Sequence, residues 1–190
     1  MSVTAVADIK EAAHQRIAAV QESYGGDRPL PALAGLIATY GTTVAALLAV
    51  SSRRGKLPER VSAGDLALYS VATHKLARLI AKDPIASPLR APFTQLEGLD
   101  GPAELHEEVV GEGWRHAVGE LLTCPFCLGQ WVGTAFIFGG VLAPRATRVV
   151  AATFAVHAAS DALQFAYAAL ESSESQEAGA TAATNPPAAP

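Results

Sequence analysis

Charge, aromatic side chains and cysteine are all scarce in this chain of 190 residues. Only 17% of the residues are charged and 6% are aromatic, whereas half are hydrophobic. The net charge of −4, with no basic stripe among aromatic residues, argues against nucleic acid as a partner. Two cysteines cannot form a disulfide framework, although they can form one bridge. No cleavable secretion signal is expected either, because residues 1–24 carry charges throughout.

What the chain has instead is long apolar runs. Residues 32–50 contain no charge and follow a proline at position 31, and a basic cluster at Arg53, Arg54 and Lys56 closes the run. Residues 128–143 are also free of charge, and residues 149–170 form a third run. A helix needs about 20 mostly apolar residues to cross the hydrocarbon core of a bilayer. The sequence therefore predicts transmembrane helices.

The segment 65–82 fits two interpretations. It carries an apolar stripe on one side, while Lys75 and Arg78 lie on a basic face that Arg90 extends downstream. Cations are costly at membrane depth, so a helix lying on the surface is the economical interpretation. A crossing helix with its basic face turned into the bundle is the alternative. The basic face is a candidate site for anionic lipid headgroups or a partner, and simple solvation of that face is the competing explanation.

Basic residues decide the expected topology. The cluster at Arg53 and Arg54 and the turn at Arg145 and Arg148 both favour the cytoplasmic side. Both can lie there only if the segment 65–82 crosses, which gives four spans and puts the cysteines outside. If that segment lies flat, there are three spans and the cysteines face the cytoplasm. Two basic turns outweigh one amphipathic helix, so four spans are preferred.

The central stretch 120–133 holds both cysteines. Pro125 fits the first turn of a helix, which makes Cys124 the residue that caps it. Cys127 follows one turn later on the same face. Gly129 and Gly133 form a GxxxG pattern, which lets a second helix approach closely. These glycines are expected to pack within the bundle or, between two copies of the chain, to form a homo-oligomer.

The last apolar run carries two polar residues at helical spacing. His157 and Asp161 lie four residues apart, so they are expected on one face of the helix. Ionisable residues in a spanning helix are functional candidates, but a histidine bound to an aspartate is also a common way to satisfy two buried polar groups. Ala151, Ala155 and Ala159 form a smooth face that fits Gly129 and Gly133.

The remaining segments are expected to be surface elements. Residues 1–30 are predicted to form an amphipathic helix (3–23) and a linker, residues 31–170 the membrane domain, and residues 171–190 a disordered tail. The three prolines in residues 83–93 predict an extended connector, followed by a loop over 94–100. A short acidic helix is expected from residue 102 onward.

Two blocks of the sequence resemble a known family. They are RLI-x-x-D-x-I-x-x-PLR, within residues 74–93, and CPxCLGxWV, which begins at Cys124. Together they are similar to an uncharacterised bacterial membrane-protein family, catalogued as domain of unknown function 1360. The resemblance covers roughly residues 65–161. It implies several helices in a bacterial membrane, for which we expect the inner membrane, and it supplies no activity.

The cysteines allow three functional interpretations. Cys124 and Cys127 at a helix start can exchange between dithiol and disulfide, as in a membrane thiol oxidoreductase. They also make half of a zinc site, which needs two more ligands. His116 and His106 are the candidates within the chain, or a second chain could complete the site across a dimer. The third interpretation is a structural pair in a scaffold or interaction protein.

The sequence therefore predicts an all-α, polytopic helical membrane protein with three or four spans plus amphipathic helices. Its leading function is a scaffold or interaction role, with the bilayer as its partner. No cofactor is expected beyond zinc, and no catalytic signature beyond the CxxC pair is present.

Overall fold

The computed structural model describes residues 12, 15–17, 19–24, 28–58, 60–101 and 104–184, with side chains as far as residue 173. From residue 28 onward the chain forms six α-helices, a 3-10 turn and one two-stranded sheet. In order these are α1 (Leu30–Arg53), α2 (Ala63–Lys82), the 3-10 turn Pro84–Ala86, α3 (Ser87–Arg90), β1 (Thr94–Gly101), β2 (Glu104–Val109), α4 (Gly113–Thr123), α5 (Pro125–Leu142) and α6 (Pro144–Thr184).

Helix α2 lies at the centre of the bundle, packed against both α5 and α6. Tyr69 of α2 stacks on Phe136 of α5 with ring centroids 5.8 Å apart, and Ala72 and Ala151 are completely buried beside them. The alanines let the helix backbones approach closely, as small residues do at helix contacts. Helix α1 packs on the other side of the molecule, against α4 and α5.

The helices begin where the sequence supplies capping residues. Ser62 caps α2 by accepting a hydrogen bond from the backbone N–H of Asp65 (3.0 Å), and proline occupies the first turn of α1 and α5. Cys124 caps α5, as predicted, because its Sγ accepts a hydrogen bond from the Cys127 N–H (3.2 Å).

Long-range contacts bring both predicted basic turns of the chain to the same end of the bundle, although the structure places Arg145 and Arg148 at the start of helix α6 and not in a separate turn. Lys56 donates to the Leu142 carbonyl (3.0 Å), and Arg148 makes a two-fold hydrogen bond to Asp65 (both 2.8 Å). We call this the basic end; it consists of Arg53, Arg54, Lys56, Arg60, Arg145 and Arg148.

The opposite end carries the two-stranded sheet and the start of α5, and we call it the hairpin end. There Arg28, just before α1, pairs with Glu120 of α4 (2.7 Å). With both ends fixed in this way, α1 and α5 run from the hairpin end to the basic end, whereas α2 and α6 run in the opposite direction.

The predictions for residues 94–112 were wrong. Instead of a loop and an acidic helix, β1 and β2 form an antiparallel hairpin that pairs Thr94 with Val109 and Gly101 with Glu104, with two register shifts between. The fold is therefore mostly helical, not all-α. An isolated pair of strands is marginal in water. This one is held by its carboxylates, which face the cations of α2, and that contact is invisible in the local sequence.

The three prolines had predicted an extended connector before the hairpin, and that prediction was wrong. The connector folds into the 3-10 turn and the short helix α3, in which Pro84 and Pro88 occupy first-turn positions. Proline is tolerated there because the N–H it lacks would have no helical partner.

The two chain ends differ in how far the structure describes them. Helix α6 continues to Thr184, through most of the tail that was expected to be disordered, and residues 185–190 lie outside the description. Near the N-terminus, residues 15–17 and 19–24 are helical, and most of the predicted helix 3–23 is likewise not described.

Three of the described helices are long and apolar enough to cross a membrane. They are α1 (Leu30–Arg53), α5 (Pro125–Leu142) and the first part of α6 (Pro144–Ser173). The central helix α2 does not meet this criterion by its own composition.

Candidate functional site: the hairpin end

Four cations at the hairpin end each face a carboxylate. Lys75, Arg78 and Lys82 are spaced along α2, and Arg90 ends α3. Their partners are Asp161 for Lys75 (2.7 Å), Glu104 for Arg78, Asp100 for Lys82 (2.8 Å) and Glu107 for Arg90 (2.8 Å). The predicted basic face is thus covered by the hairpin and by α6. The structure brings Lys75, Arg78 and Arg90 to one region, but as ion pairs within the chain.

Arg90 is the most deeply buried charge in the described part of the chain. Its side chain has no solvent exposure, and it makes a bidentate contact with Glu107, whose two oxygens lie 2.8 and 2.9 Å from the guanidinium. The same guanidinium donates to the carbonyls of Ile80 (2.6 Å) and Asp83 (3.1 Å). Such geometry matches the planar fork of arginine, which lysine cannot reproduce. Arg90 therefore ties the hairpin to the end of α2.

The hairpin carboxylates are held in their charged form. The hydrogen bonds from Arg90 lower the pKa of Glu107, and a hydrogen bond from Thr94 (3.0 Å) adds to the effect against the cost of burial. The pKa of Asp100 is lowered mainly by its hydrogen bond with Lys82, with a smaller contribution from His106. The hairpin is therefore attached by ionised groups at neutral pH.

Lys75 connects three elements from a largely buried position. Its side chain is only 12% exposed, and its Nζ lies 2.7 Å from Asp161 of α6 and 3.6 Å from Asp83. The sequence had suggested a pair between His157 and Asp161 as one interpretation. In the structure Asp161 pairs with Lys75 instead. His157 is exposed and, within the described residues, has no hydrogen-bonding partner.

The two cysteines lie beside this cluster at the start of α5. Both are free thiols; Cys127 is exposed and Cys124 is partly buried. Phe126 between them is 91% exposed. The pair is accessible for thiol chemistry, but no other cysteine is available in the chain to exchange with it.

The two histidines proposed as zinc ligands, His116 and His106, bond to other groups and not to the thiols. His116 bonds to the Gly111 carbonyl and to Glu120 (both 3.2 Å), and His106 bonds to Asp100 (2.8 Å). Among the described residues no three histidine, cysteine or acidic side chains form a metal site. A zinc site completed by a second chain stays a prediction.

The GxxxG pattern faces a different helix from the one expected. A Cβ placed on Gly129 or Gly133 would meet Thr73 of α2, at 4.0 and 3.6 Å. Ala151 of α6 packs instead on Tyr69 and its neighbours. The prediction that the alanine face packs on these glycines was wrong; their role in a homo-oligomer is a separate prediction.

Sequence reasoning missed the acidic partners of the basic face. Glu104 and Glu107 were assigned to a helix of their own, and Asp100 to a loop. The available signal was the balance of charge: the four cations in residues 75–90 are followed closely by a run of acids. That balance predicts pairing between neighbouring segments but not the partners.

The fold and this site define a class of protein: a small helical bundle with three candidate membrane spans and a charge-paired hairpin at one end. Residues 68–167 match the model of a family described as a protein of unknown function, DUF1360. The chain belongs to this family. It is also 35% identical over 86 residues to the sporulation protein YjcA of Bacillus subtilis, an alignment that covers 44% of this chain and 73% of the relative. No solved structure matches the chain.

Proposed function

We propose that this is a multi-pass protein of a bacterial inner membrane, in which α1, α2, α5 and α6 all cross and the hairpin end serves as an interaction platform. The observation that carries the proposal is the apolar outer surface of the bundle. Ile37 of α1 is 73% exposed, and Val156 and Leu163 of α6 are 67% and 71% exposed. Apolar surfaces of this extent need lipid or a partner to cover them.

The pairing of the α2 cations supports a crossing α2. An unpaired cation at membrane depth is expensive, but Lys75 faces into the bundle and pairs with Asp161 of another crossing helix. Arg78 and Lys82 lie nearer the end of the helix and pair with the hairpin. The main objection to four spans, the charge on this helix, is thereby removed.

The position of the unpaired cations supports one orientation. Both basic turns lie at the basic end, so the positive-inside rule assigns that end to the cytoplasm. The hairpin and the cysteines then lie on the outer side. With three spans and a flat α2, the two basic turns would lie on opposite sides.

Cysteine labelling tests this topology. In intact cells, a membrane-impermeant maleimide should label Cys124 and Cys127 at the outer side, after reduction if they are bridged. An Arg145→Cys variant that lacks the native cysteines should react only after lysis. Labelling of the 145 position in intact cells, or of the native pair only in lysed cells, would contradict the orientation.

The interaction role is supported by apolar side chains at the hairpin end. Leu96 and Leu99 of β1 are 62% and 73% exposed, and Ile85 of the preceding turn is 79% exposed, on a hairpin that ion pairs hold in place. The similar Bacillus protein is named a sporulation protein. Replacing Leu96 and Leu99 with serine should impair complementation of a strain that lacks the gene, without loss of membrane-bound protein. Ile37→Ala should leave complementation unchanged. Full complementation by the variant with both serines would contradict an interaction role for this surface.

A second candidate function is thiol–disulfide exchange. Its specific support is the placement of an accessible Cys124–Cys127 pair at the end assigned to the outer side, where disulfides form and persist. Maleimide labelling that appears only after reduction would favour this function over the interaction role. Labelling that is equal with and without reduction would contradict it.

A further inference from the structure

A cavity of about 690 Å³ lies between α2, α6 and the hairpin. Charged and polar side chains form one part of its wall: Lys75, Arg78, Asp83, Glu104, Asp161 and Gln164. The apolar part includes Ile85 and Phe165. Its volume falls within the range of small-molecule sites. Of the residues in its wall, only Ile85 belongs to the interaction surface proposed above.

The cavity has a defined depth if the bundle crosses the membrane as proposed, and the inference therefore rests on that proposal. By the rise of an α-helix, Asp161 lies about 20 Å along α6 from Arg148 at the basic end. Residues 161–168 of α6, which line the cavity, rise a further 10 Å or so. Since the hydrocarbon core is about 30 Å thick, the cavity extends from the outer leaflet to the level of the outer headgroups.

The charges in the cavity are of both signs, with acids in excess. Lys75 and Arg78 are the two cations, and Asp83, Glu104 and Asp161 are the three carboxylates. One oxygen of Asp161 faces Lys75 and one oxygen of Glu104 faces Arg78, which leaves the second oxygen of each without a partner among the described residues. Asp161 and Arg78 are also partly open to solvent, at 40% and 46% exposure of their side chains.

We propose that this cavity binds the headgroup of a phospholipid that carries a primary ammonium, such as phosphatidylethanolamine. The ammonium donates hydrogen bonds to the free oxygens of Asp161 and Glu104, while the phosphate lies near Arg78. Ile85 and Phe165 contact the start of the acyl chains. A quaternary ammonium has no N–H to donate, and an anionic headgroup meets an excess of carboxylates, so neither matches the site.

Native mass spectrometry of the purified full-length protein in detergent tests the preference. Phosphatidylethanolamine, phosphatidylcholine and phosphatidylglycerol with identical acyl chains are titrated separately. We expect the first to bind about tenfold more tightly than the other two, the effect of one charge-assisted hydrogen bond. Equal binding of all three lipids, or tighter binding of phosphatidylglycerol, would overturn the proposal.

Matched variants locate the site. Glu104→Gln removes a carboxylate of the cavity and should abolish most of the preference, whereas Glu97→Gln, an exposed position of β1 outside the cavity, should retain it. A preference kept by Glu104→Gln, or lost equally in both variants, would reject this site.

A paired variant controls for misfolding. Lys75→Met together with Asp161→Met removes both charges of the closest pair at once. It leaves only Asp83, which is partly exposed at the end of α2, without its more distant partner Lys75. It should fold, remain in the membrane fraction and lose the preference; a folded paired variant that keeps the preference would also reject the site. If the wild-type protein is absent from the membrane fraction, the proposed function fails; if it is present without a lipid preference, only this inference fails.

Discussion

The two ends of the bundle handle positive charge in opposite ways. At the basic end, Arg148 pairs with Asp65, but Arg53, Arg54, Arg60 and Arg145 are exposed and have no ion-pair partner among the described residues. At the hairpin end, the cations of α2 and α3 each contact a carboxylate, and Arg90 does so in complete burial. The same residue types are therefore solvated at one end and neutralised at the other.

The difference follows from the cost of removing charge from water. An exposed arginine retains its hydration and contributes mainly to orientation across a membrane. Burying an arginine costs several kcal/mol in desolvation, which only an ion pair of good geometry and further hydrogen bonds offset. Arg90 has both, through Glu107 and two carbonyls. The hairpin end is thus fixed by ion pairs, whereas the basic end stays largely solvated and, in the function proposed above, sets the membrane topology.

Removing the buried cation should produce the largest effect. Arg90→Met leaves Glu107 buried without its partner, and we expect a loss of about 3–5 kcal/mol in the free energy of unfolding. Arg145→Met at the basic end should change it by less than about 0.5 kcal/mol. Unfolding of the detergent-solubilised proteins, followed by tryptophan fluorescence, measures both.

A double variant separates the lost interaction from the stranded charge. Arg90→Met with Glu107→Met removes both charges and should recover a large part of the stability lost in the single variant. If the double variant is as unstable as the single one, the penalty lies in packing and the comparison between the two ends fails.

Acid should weaken the hairpin end by a smaller amount. The pKa of Glu107 is lower in the folded protein than its ordinary value of 4.5. The ionised carboxylate therefore contributes fully to the free energy of unfolding above pH 4.5, and this contribution is lost as the pH falls through the lower folded-state pKa. Asp100 contributes with the same sign. Protease resistance of the hairpin should therefore be constant from neutral pH to about 4.5 and fall below it. Glu107→Gln should weaken this dependence; an unchanged acid profile in that variant would exclude Glu107 as its source.

Glycine substitutions test the middle of the bundle. A Cβ on Gly140 would lie 2.6 Å from the hydroxyl oxygen of the buried Tyr69, so Gly140→Ala should cost about 1–3 kcal/mol. Gly133→Ala meets Thr73 only at ordinary contact distance and should be nearly neutral. Equal destabilisation by the two changes would show that Thr73 packs on Gly133 more closely than the structure places it.

The long helices, and the starts of α1 and α5, could be predicted from the sequence because their signals are local. The charge-free run after position 31 became α1, and Pro125 after Cys124 set the start of α5. These features need only the chemistry of a few consecutive residues. The segment 65–82 was also identified as a helix, although its place at the centre of the bundle was not.

The hairpin and its ion pairs could not be predicted because their signals are distant in sequence. Glu107 is a strand residue since Arg90 and Thr94 hold it there, and nothing within residues 104–109 alone favours a strand over a helix. The GxxxG pattern likewise predicts close approach without naming the partner. The rotation of each helix is set by the whole bundle, which here turns Gly133 toward Thr73.

The smallest expected change in stability comes from substituting the thiols. Because the stability changes little, a loss of function in these variants can be assigned to the thiols themselves. Serine is a good helix cap, so Cys124→Ser should keep the hydrogen bond from the Cys127 N–H, whereas Cys124→Ala should lose it and about 0.5–1 kcal/mol. Cys127→Ser should leave stability nearly unchanged, since that side chain is exposed. Because neither thiol is needed for the fold, a Cys127→Ser protein that accumulates in the membrane but fails to complement would have lost thiol chemistry or metal binding. Normal complementation would exclude both and leave the paired hairpin end as the functional surface.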